Sequence, residues 1–378
     1  MSCIVVAVSG GADSLYALIS LQEQGHDVVA LHGLFLPSQS SALQGLSELC
    51  KQRKIPLHII DFKLAFDKEV VLPFIEAYAN GFTPNPCALC NKEIKFGLLL
   101  QKAFELGGDY FATGHYASVS NDEVLKNSSQ DLLQNMTKSP LYKGQDVLKD
   151  QSYFLSLVPK EQFKHVLFPL AQRKKVDNIV YLQERNINIP IAKESQEICF
   201  IPNDAYRDFL LVEAKKRKVT LGKEGQILVR EQGVDNTLPA KFGGMNGDKH
   251  VGLWQYTEGQ RKGLGIAWKE PLYVCAKDYL NNNLILGNKE EAVLRSCLVH
   301  KLNFFVDYKY WPSELLVRVR YRQKEALAKV SLSNDLLKIS FDMPQTPTAP
   351  GQVATIYDSY GGVLAGGIIK EVSTKSFF

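Results

Sequence analysis

A β-branched run, IVVAV (4–8), stops at Ser9-Gly10-Gly11, and Leu15, Leu18, Ile19 and Leu21 then fall on one helical face that Gly25 closes. Strand, glycine turn and helix in that order open a βαβ unit. The texture repeats through VVALHGLFL (28–36), a helical stretch at 41–54, IPLHII (55–60), helices around 65–80 and 91–106, and DYFATGHYA as a strand running into a loop. Strands alternating with helices predict an α/β domain whose parallel sheet is covered on both faces. In such a sheet the turn after the first strand lies at the carboxyl edge, where ligands bind. Gly10 and Gly11 let the backbone approach a phosphate closely, and the N–H groups of a helix start attract an anion. Ser9 and Ser14 add hydroxyl donors. Asp13 would repel a phosphate, so it suits the magnesium that accompanies a nucleotide. The bland alternative is a plain strand–helix turn with an aspartate near the helix start. The GxxxxGK[ST] and spaced GxGxxG signatures are absent.

At 378 residues the chain exceeds one ordinary core. Residues 118–147 read as polar and irregular, with weak strand character near 123–126 and 141–143. Helical patterning returns at 151–157, 160–167 and 173–186, and a basic helix at 205–218 ends in KKRK. Glycine-dense pieces follow. From about 271, evenly spaced short strands suggest a small antiparallel β-barrel. We expect three domains: 1–203, 204–270 and 271–378. Hydrophobic content of 45% and charged content of 22% are those of a soluble globular protein. No apolar run is long enough to span a bilayer, and the N-terminus reads as a buried strand rather than a signal peptide. Seven cysteines, few and unevenly spaced, suggest a reducing compartment, hence the cytoplasm. A net charge of +4 is compatible with a polyanionic partner without establishing one.

Several motifs carry chemistry. Thr83-Pro-Asn85-Pro86-Cys87-Ala-Leu-Cys90 holds a CxxC, which by itself is a metal half-site, a redox pair, a disulfide or two unrelated thiols. Cys90 lies near a helix start, where the dipole favours thiolate, with Lys92 and Lys95 close by. Thr113-Gly114-His115, Lys149-Asp150-Gln151, Ile198-Cys199-Phe, Gln260-Arg-Lys-Gly, Arg320-Tyr321-Arg322-Gln323 and Pro350-Gly351-Gln352 follow in order. Arg318, Arg320 and Arg322 alternate with Val319 and Tyr321, so a strand would place all three on one face. Within 301–331, seven Lys/Arg stand against three Asp/Glu, which favours an RNA backbone contact over a merely solvated face. His115 is either a satisfied structural histidine or a group facing nucleotide and target base. Lys149-Asp150-Gln151 is either a helix start capped by Asp150 or an RNA contact.

SGGADS resembles the PP-loop of the ATP pyrophosphatase superfamily, with an adenine nucleotide α-hydrolase-like fold. All the motifs together, from first strand to barrel, resemble the tRNA-specific 2-thiouridylase family. That resemblance implies ATP-dependent replacement of the C2 oxygen of the tRNA wobble uridine by sulfur. It implies an ATP site at Ala7, Val8, Ser9, Gly10, Gly11, Ala12, Asp13, Ser14, Gly33 and Gly114, with Mg2+. It implies tRNA contacts at Asn85, Pro86, Cys87, His115, Lys149, Asp150, Gln151, Arg320, Tyr321 and Gln352. Cys199 would carry a persulfide received from a sulfur-donor protein, and Cys90 would be the second, nucleophilic thiol. The pair would end as a Cys90–Cys199 disulfide or release sulfide. No membrane and no DNA partner is implied.

The chain departs from the family pattern in three places. Cys87 stands where aspartate is common, Glu194-Ser-Gln-Glu precedes Ile198-Cys199 where DSTG is usual, and the segment after residue 36 is short. Three thiols at Cys87, Cys90 and Cys199 would also suit a [4Fe–4S] cluster with one open iron position, a second route to thiolation. Zinc would need a fourth ligand that no nearby histidine supplies. Two further readings are a PP-loop ligase adenylating a small acid, which needs neither two distant cysteines nor a basic barrel, and a non-catalytic nucleotide-binding redox or metal module.

Overall fold

The computed structural model describes residues 2–36, 40–120, 138–191, 197–230, 237–239 and 248–377. The first domain begins β1 (Cys3–Ala7), α1 (Ala12–Glu23), β2 (Asp27–Leu34), α2 (Ser40–Arg53) and β3 (Leu57–Asp61). A long helical segment follows, α3 (Lys63–Phe66) and α4 (Leu72–Ala79) joined by a wider-wound turn. A second runs from α5 (Pro86–Cys90) through the wide-wound stretch Asn91–Leu99 into α6 (Leu100–Glu105). After β4 (Tyr110–Ala112) come the hairpin strands β5 (Ala117–Val119) and β6 (Leu141–Lys143), α7 (Ser152–Leu155), β7 (Val166–Leu167), α8 (Lys175–Glu184) and α9 (Tyr206–Arg217).

The five-stranded sheet runs β3-β2-β1-β4-β7, every pairing parallel. Period two sorts β1 between two cores. Ile4, Val6 and Val8 pack with Leu15, Leu18, Leu46 and Leu182 on one face, while Val5 packs with Phe96, Leu99 and Phe111 on the other. Each such buried side chain contributes about 1.5–3 kcal/mol of hydrophobic stabilisation. The order reverses between β1 and β4, so the loops after those two strands meet at the switch point.

Two local readings change. The expected helix at 160–167 is a short 3-10 turn (Lys160–His165) followed by β7, which extends the sheet beside β4. Pro169 biases the residue before it away from helix and toward extended backbone, and Val166 is β-branched. The helix expected from 91 begins one turn earlier. Asn85 is its N-cap, accepting from the Ala88 N–H at 3.1 Å, and Pro86 occupies the first turn. Weak strand character expected at 123–126 lies outside the described residues.

The central sheet runs β10 (Lys249–His250), β8 (Gly225–Arg230), β12 (Asn283–Gly287), β11 (Tyr273–Asp278), with β9 (Thr237–Pro239) also on β8. β11 and β12 were expected in the barrel. Instead β12 pairs in parallel with β8, and Val274, Leu284 and Leu286 share the central core with Ile227. The break therefore falls between β12 and β13 rather than at 270/271. The closed barrel comprises β13 (Leu294–Phe304), β16 (Leu336–Gln345), β15 (Ala326–Ser333), β14 (Leu316–Arg318), β17 (Val353–Tyr357) and β18 (Val363–Ser373). β14 ends at Arg318, so Arg320 and Arg322 sit in a turn and the expected one-faced arginine strand does not form.

Candidate active site

The turn after β1 takes the conformation its glycines permit. Gly10 has φ +90°, and Gly11 is the N-cap of α1. Ser14 Oγ accepts from the Ser9 N–H at 3.1 Å and donates to the Gly11 carbonyl at 3.0 Å, which fixes the loop. From β4, Gly114 comes against the first turn of α1. A Cβ there would lie 2.8 Å from Asp13 C and Ser14 N, so only glycine fits. Gly33, near the end of β2, lies under the Phe35 and Phe62 rings. His32 beside it hydrogen-bonds the Val8 carbonyl through Nδ1 at 2.7 Å, while its Nε2 is buried without a partner. Sequence reasoning passed over this histidine.

Asp13 forms an ion pair with Lys175 of α8 and accepts from the Tyr116 hydroxyl at 2.7 Å. Asn178 donates to that same hydroxyl at 2.9 Å. Lys175, Tyr116 and Asn178 were not anticipated; they come from distant segments and carry no local signature. One carboxylate beside a phosphate-sized turn fits Mg2+, which keeps waters and takes few protein ligands next to a nucleotide.

Cys90 closes the first turns of its helix, three residues after Cys87. It packs in one apolar cluster with Ile198, Phe200, Phe66 and Ile94, which brings the Cys199 turn to the helix. Phe200 makes edge contacts with Phe66 and Phe74 that hold this turn down. All seven cysteines are free thiols. Cys87 and Cys199 are exposed, and Cys90 is partly so. Protein crowds these thiols closely enough that desolvation pushes Cys90 up to about 12 and raises Cys87 and Cys199, while Lys95 opposes the rise at all three. Repulsion from Cys199 and Cys87 also raises Cys90, and repulsion from Cys87 raises Cys199. The charge of Lys95 thus acts on all three thiols. Residues 192–196, next to Cys199, lie outside the described residues.

Among the described residues, no group of three or more His, Cys, Asp or Glu side chains is placed to hold a metal ion. The three thiols share a neighbourhood without forming a ligand set.

Lys95 also acts on His115, whose ring is held well below its usual range, first by burial and then by that charge. His115 is buried against Phe96 and Phe168 and bonds Thr113 Oγ1 through Nδ1 at 2.8 Å. The ring is neutral at physiological pH. Gln151 pins the same loop: its amide oxygen accepts from the Tyr116 N–H at 3.0 Å, and its own N–H donates to the Tyr116 carbonyl at 2.8 Å.

Several expected RNA contacts are engaged within the protein. Asp150 is buried, accepts from the Gly144 and Ser152 N–H groups at 3.1 Å each, and pairs with Arg318 of the barrel at 3.0 Å. Burial raises its carboxyl above the usual range. Arg320 donates to the Glu258 carbonyl at 3.1 Å, and the Tyr321 ring packs against Phe154, tilted by 36° with centroids 4.4 Å apart. Gln352 donates to the Thr83 and Pro84 carbonyls at 2.9 and 3.2 Å. Lys149 is partly exposed and Arg322 is exposed.

A parallel sheet with an SGG turn at its switch point and a TGH turn opposite defines an α/β enzyme of the PP-loop type. The family profile described as tRNA methyl transferase HUP domain matches residues 2–203. Profiles described as tRNA methyl transferase PRC-barrel domain and aminomethyltransferase β-barrel domain match 241–288 and 294–369. A tRNA-specific 2-thiouridylase of Lawsonia intracellularis is 43% identical over 374 residues, covering 97% of this chain and 98% of the relative. One from Nitratidesulfovibrio vulgaris (Miyazaki F) is 44% identical over 373 residues, again 97% and 98%. The chain belongs to the tRNA-specific 2-thiouridylase family. Among solved structures, a 4-thiouridine synthetase–RNA complex with bound ATP is 15% identical, covers 58% of this chain and 52% of its own, and has a TM-score of 0.34. The U34-tRNA thiolase NcsA of Methanococcus maripaludis with its [4Fe–4S] cluster is 17% identical, covers 58% and 67%, and has a TM-score of 0.33. Overlaps this slight carry no weight for function.

Proposed function

We propose that this chain replaces the C2 oxygen of the tRNA wobble uridine with sulfur, using ATP. One observation carries the reading: the Cys199 turn, 109 positions on from Cys90 in the chain, is packed against the Cys90 helix through Ile198 and Phe200, while Gly114 beside His115 abuts the nucleotide turn. The turn Ser9–Ser14 receives the ATP phosphates on its backbone N–H groups. Asp13 would hold Mg2+, which neutralises phosphate charge when bound, and Lys175, released from Asp13, would face the phosphates.

Attack of the uridine C2 oxygen on the α-phosphate expels pyrophosphate and leaves AMP on that oxygen, which becomes a leaving group. The terminal sulfur of a Cys199 persulfide attacks C2, and AMP departs. The Cys90 thiolate then attacks Cys199 Sγ. The S–S bond breaks, the transferred sulfur stays on C2, and a Cys90–Cys199 disulfide forms. Exposed Cys199 is open to a persulfide donor, and free thiols suit a reducing cytoplasm. Asn85, Pro86 and Cys87 border the target base, and Lys149 with Arg322 meets RNA phosphates.

Incubation with ATP, magnesium, a persulfide donor and tRNA, followed by mass spectrometry of nucleosides, should give 2-thiouridine. Cys199→Ser should abolish the product while leaving ATP binding in place. Thiolation retained in that variant contradicts the assigned role.

A further inference from the structure

The backbone that leads into the Cys90 helix is held by both accessory domains. Gly81 O accepts from Lys277 Nζ at 2.6 Å and from the Tyr279 hydroxyl at 2.7 Å, both from the central domain. Thr83 Oγ1 lies 3.2 Å from Thr257 Oγ1 of the same domain. From the barrel, the Pro350 carbonyl accepts from the Thr83 N–H at 2.8 Å, and Gln352 Nε2 donates to the Thr83 and Pro84 carbonyls. The approach is close. A Cβ on Gly81 would meet the Tyr279 ring at 2.1 Å, and one on Gly351 would lie 3.0 Å from Thr83 backbone atoms.

Lys277 is a costly way to satisfy one carbonyl. Its ammonium is buried, bonds the Tyr256 carbonyl at 2.9 Å as well, and lies 3.4 Å from the buried carboxylate of Glu258. Arg320 of the barrel ties to the Glu258 carbonyl, so the two accessory domains also meet at this junction. Turn carbonyls such as these need donors, but water supplies donors without burying an ion pair. The buried clamp fixes direction. From Pro84 the chain enters the Asn85 cap and then one continuous helical run to Cys90, so the turn sets where that thiol lies.

We infer that Lys277 and Gln352 are positioning residues for Cys90, clamping the Gly81–Pro84 turn so that the thiol meets the sulfur-transfer centre. The inference rests on the thiolation reading above. Sulfur transfer depends on this geometry, whereas adenylation occurs at the nucleotide turn and does not. A misplaced Cys90 leaves the uridine joined to Cys199 through the S–S bond after AMP has departed, so without added reductant AMP is released and no free 2-thiouridine is formed.

The test is the ratio of tRNA-dependent AMP released to 2-thiouridine formed, measured on the full chain with tRNA, ATP, Mg2+ and polysulfide as sulfur source. This ratio is a property of whatever molecules turn over, so partial unfolding does not move it. Wild type should give about one. Gln352→Glu, isosteric but unable to donate to two carbonyls, should raise it about tenfold or more, since misplacement by about 1 Å costs on the order of a hundredfold. The uncharged pair Lys277→Met with Glu258→Gln, which nearly keeps the volume and removes the buried ions and the donor to Gly81 O, should raise it likewise. A ratio unchanged in Gln352→Glu and in the double variant overturns the inference while thiolation stands. A wild type that makes no 2-thiouridine and releases no tRNA-dependent AMP overturns the thiolation reading, and this inference with it.

Discussion

Replacing Arg318 with methionine separates two accounts of the barrel arginines. Asp150 is 3% exposed, and Arg318 is the charge that faces it at 3.0 Å. The two peptide N–H groups and the Ser152 hydroxyl on Asp150 remain in the variant, but the counter-ion goes. Breaking a buried pair by removing one partner costs about 3–5 kcal/mol. At about 4–8 °C per kcal/mol for a domain of this size, the barrel transition should fall by roughly 12–40 °C in calorimetry. The pH dependence gives a second signature. Burial already raises the Asp150 carboxyl above its unfolded value, and loss of the arginine raises it further. The folded state then binds the proton more tightly than the unfolded state, so stability declines as pH rises from the carboxylate range through the folded value. Arg318→Met should therefore lose less stability at pH 5 than at pH 7.5. Asp150→Asn in the same chain should recover most of the loss in a double-mutant cycle. An unchanged melting temperature with weakened tRNA binding would refute this reasoning and restore Arg318 to the RNA surface.

Gly114→Ala puts a methyl 2.8 Å from Asp13 and Ser14 backbone atoms, so the two turns must part; the KM for ATP should rise about tenfold or more at a stability cost of about 1–3 kcal/mol. Lys95→Met removes the cation that opposes the rise of all three thiols, so the pH–rate profile of single-turnover sulfur transfer should move to higher pH while ATP binding is unchanged. His115 is held neutral when folded, so below its unfolded value of about 6.5 the unfolded state takes up a proton that the folded state refuses. Stability should fall as pH drops from 6.5, by about 1.4 kcal/mol per unit for this group, and His115→Gln should flatten that slope in urea titrations at pH 5.5 and 7.5.

The nucleotide turn was legible because its requirements are local. Glycine at Gly10 and a short polar helix start leave a signature within six residues, and the alternation of strand and helix tells where that turn falls. The Asn85–Pro86 start of the thiol helix was equally local and was still passed over in favour of the apolar pattern from 91. What sequence pattern cannot carry is the identity of distant partners. Lys175 on Asp13, Asn178 on Tyr116 and Arg318 on Asp150 are chosen by packing between segments far apart in the chain. The arginine alternation failed for a related reason. Period two assigns faces only while a strand continues, and this one ends at Arg318, after which the turn sends Arg320 to Glu258. The assignment of β11 and β12 failed because short strands read alike whichever sheet receives them.

The thiols pose a problem that the accessory domains help to solve. Desolvation pushes Cys90 up to about 12, which favours its thiol form at neutral pH. On the proposed route this would keep a thiol near Cys199 from attacking a persulfide before tRNA arrives, because attack proceeds through the thiolate. The same burial makes the thiolate more nucleophilic once it forms, since nucleophilicity rises with thiol pKa. A scarce, strong nucleophile has to be exact in place, because it has few chances to react. The clamp on Gly81–Pro84 supplies place, Lys95 supplies the charge that makes the thiolate attainable, and neither lies on the nucleotide turn. In the proposed mechanism adenylation and sulfur transfer are therefore tuned by separate residues.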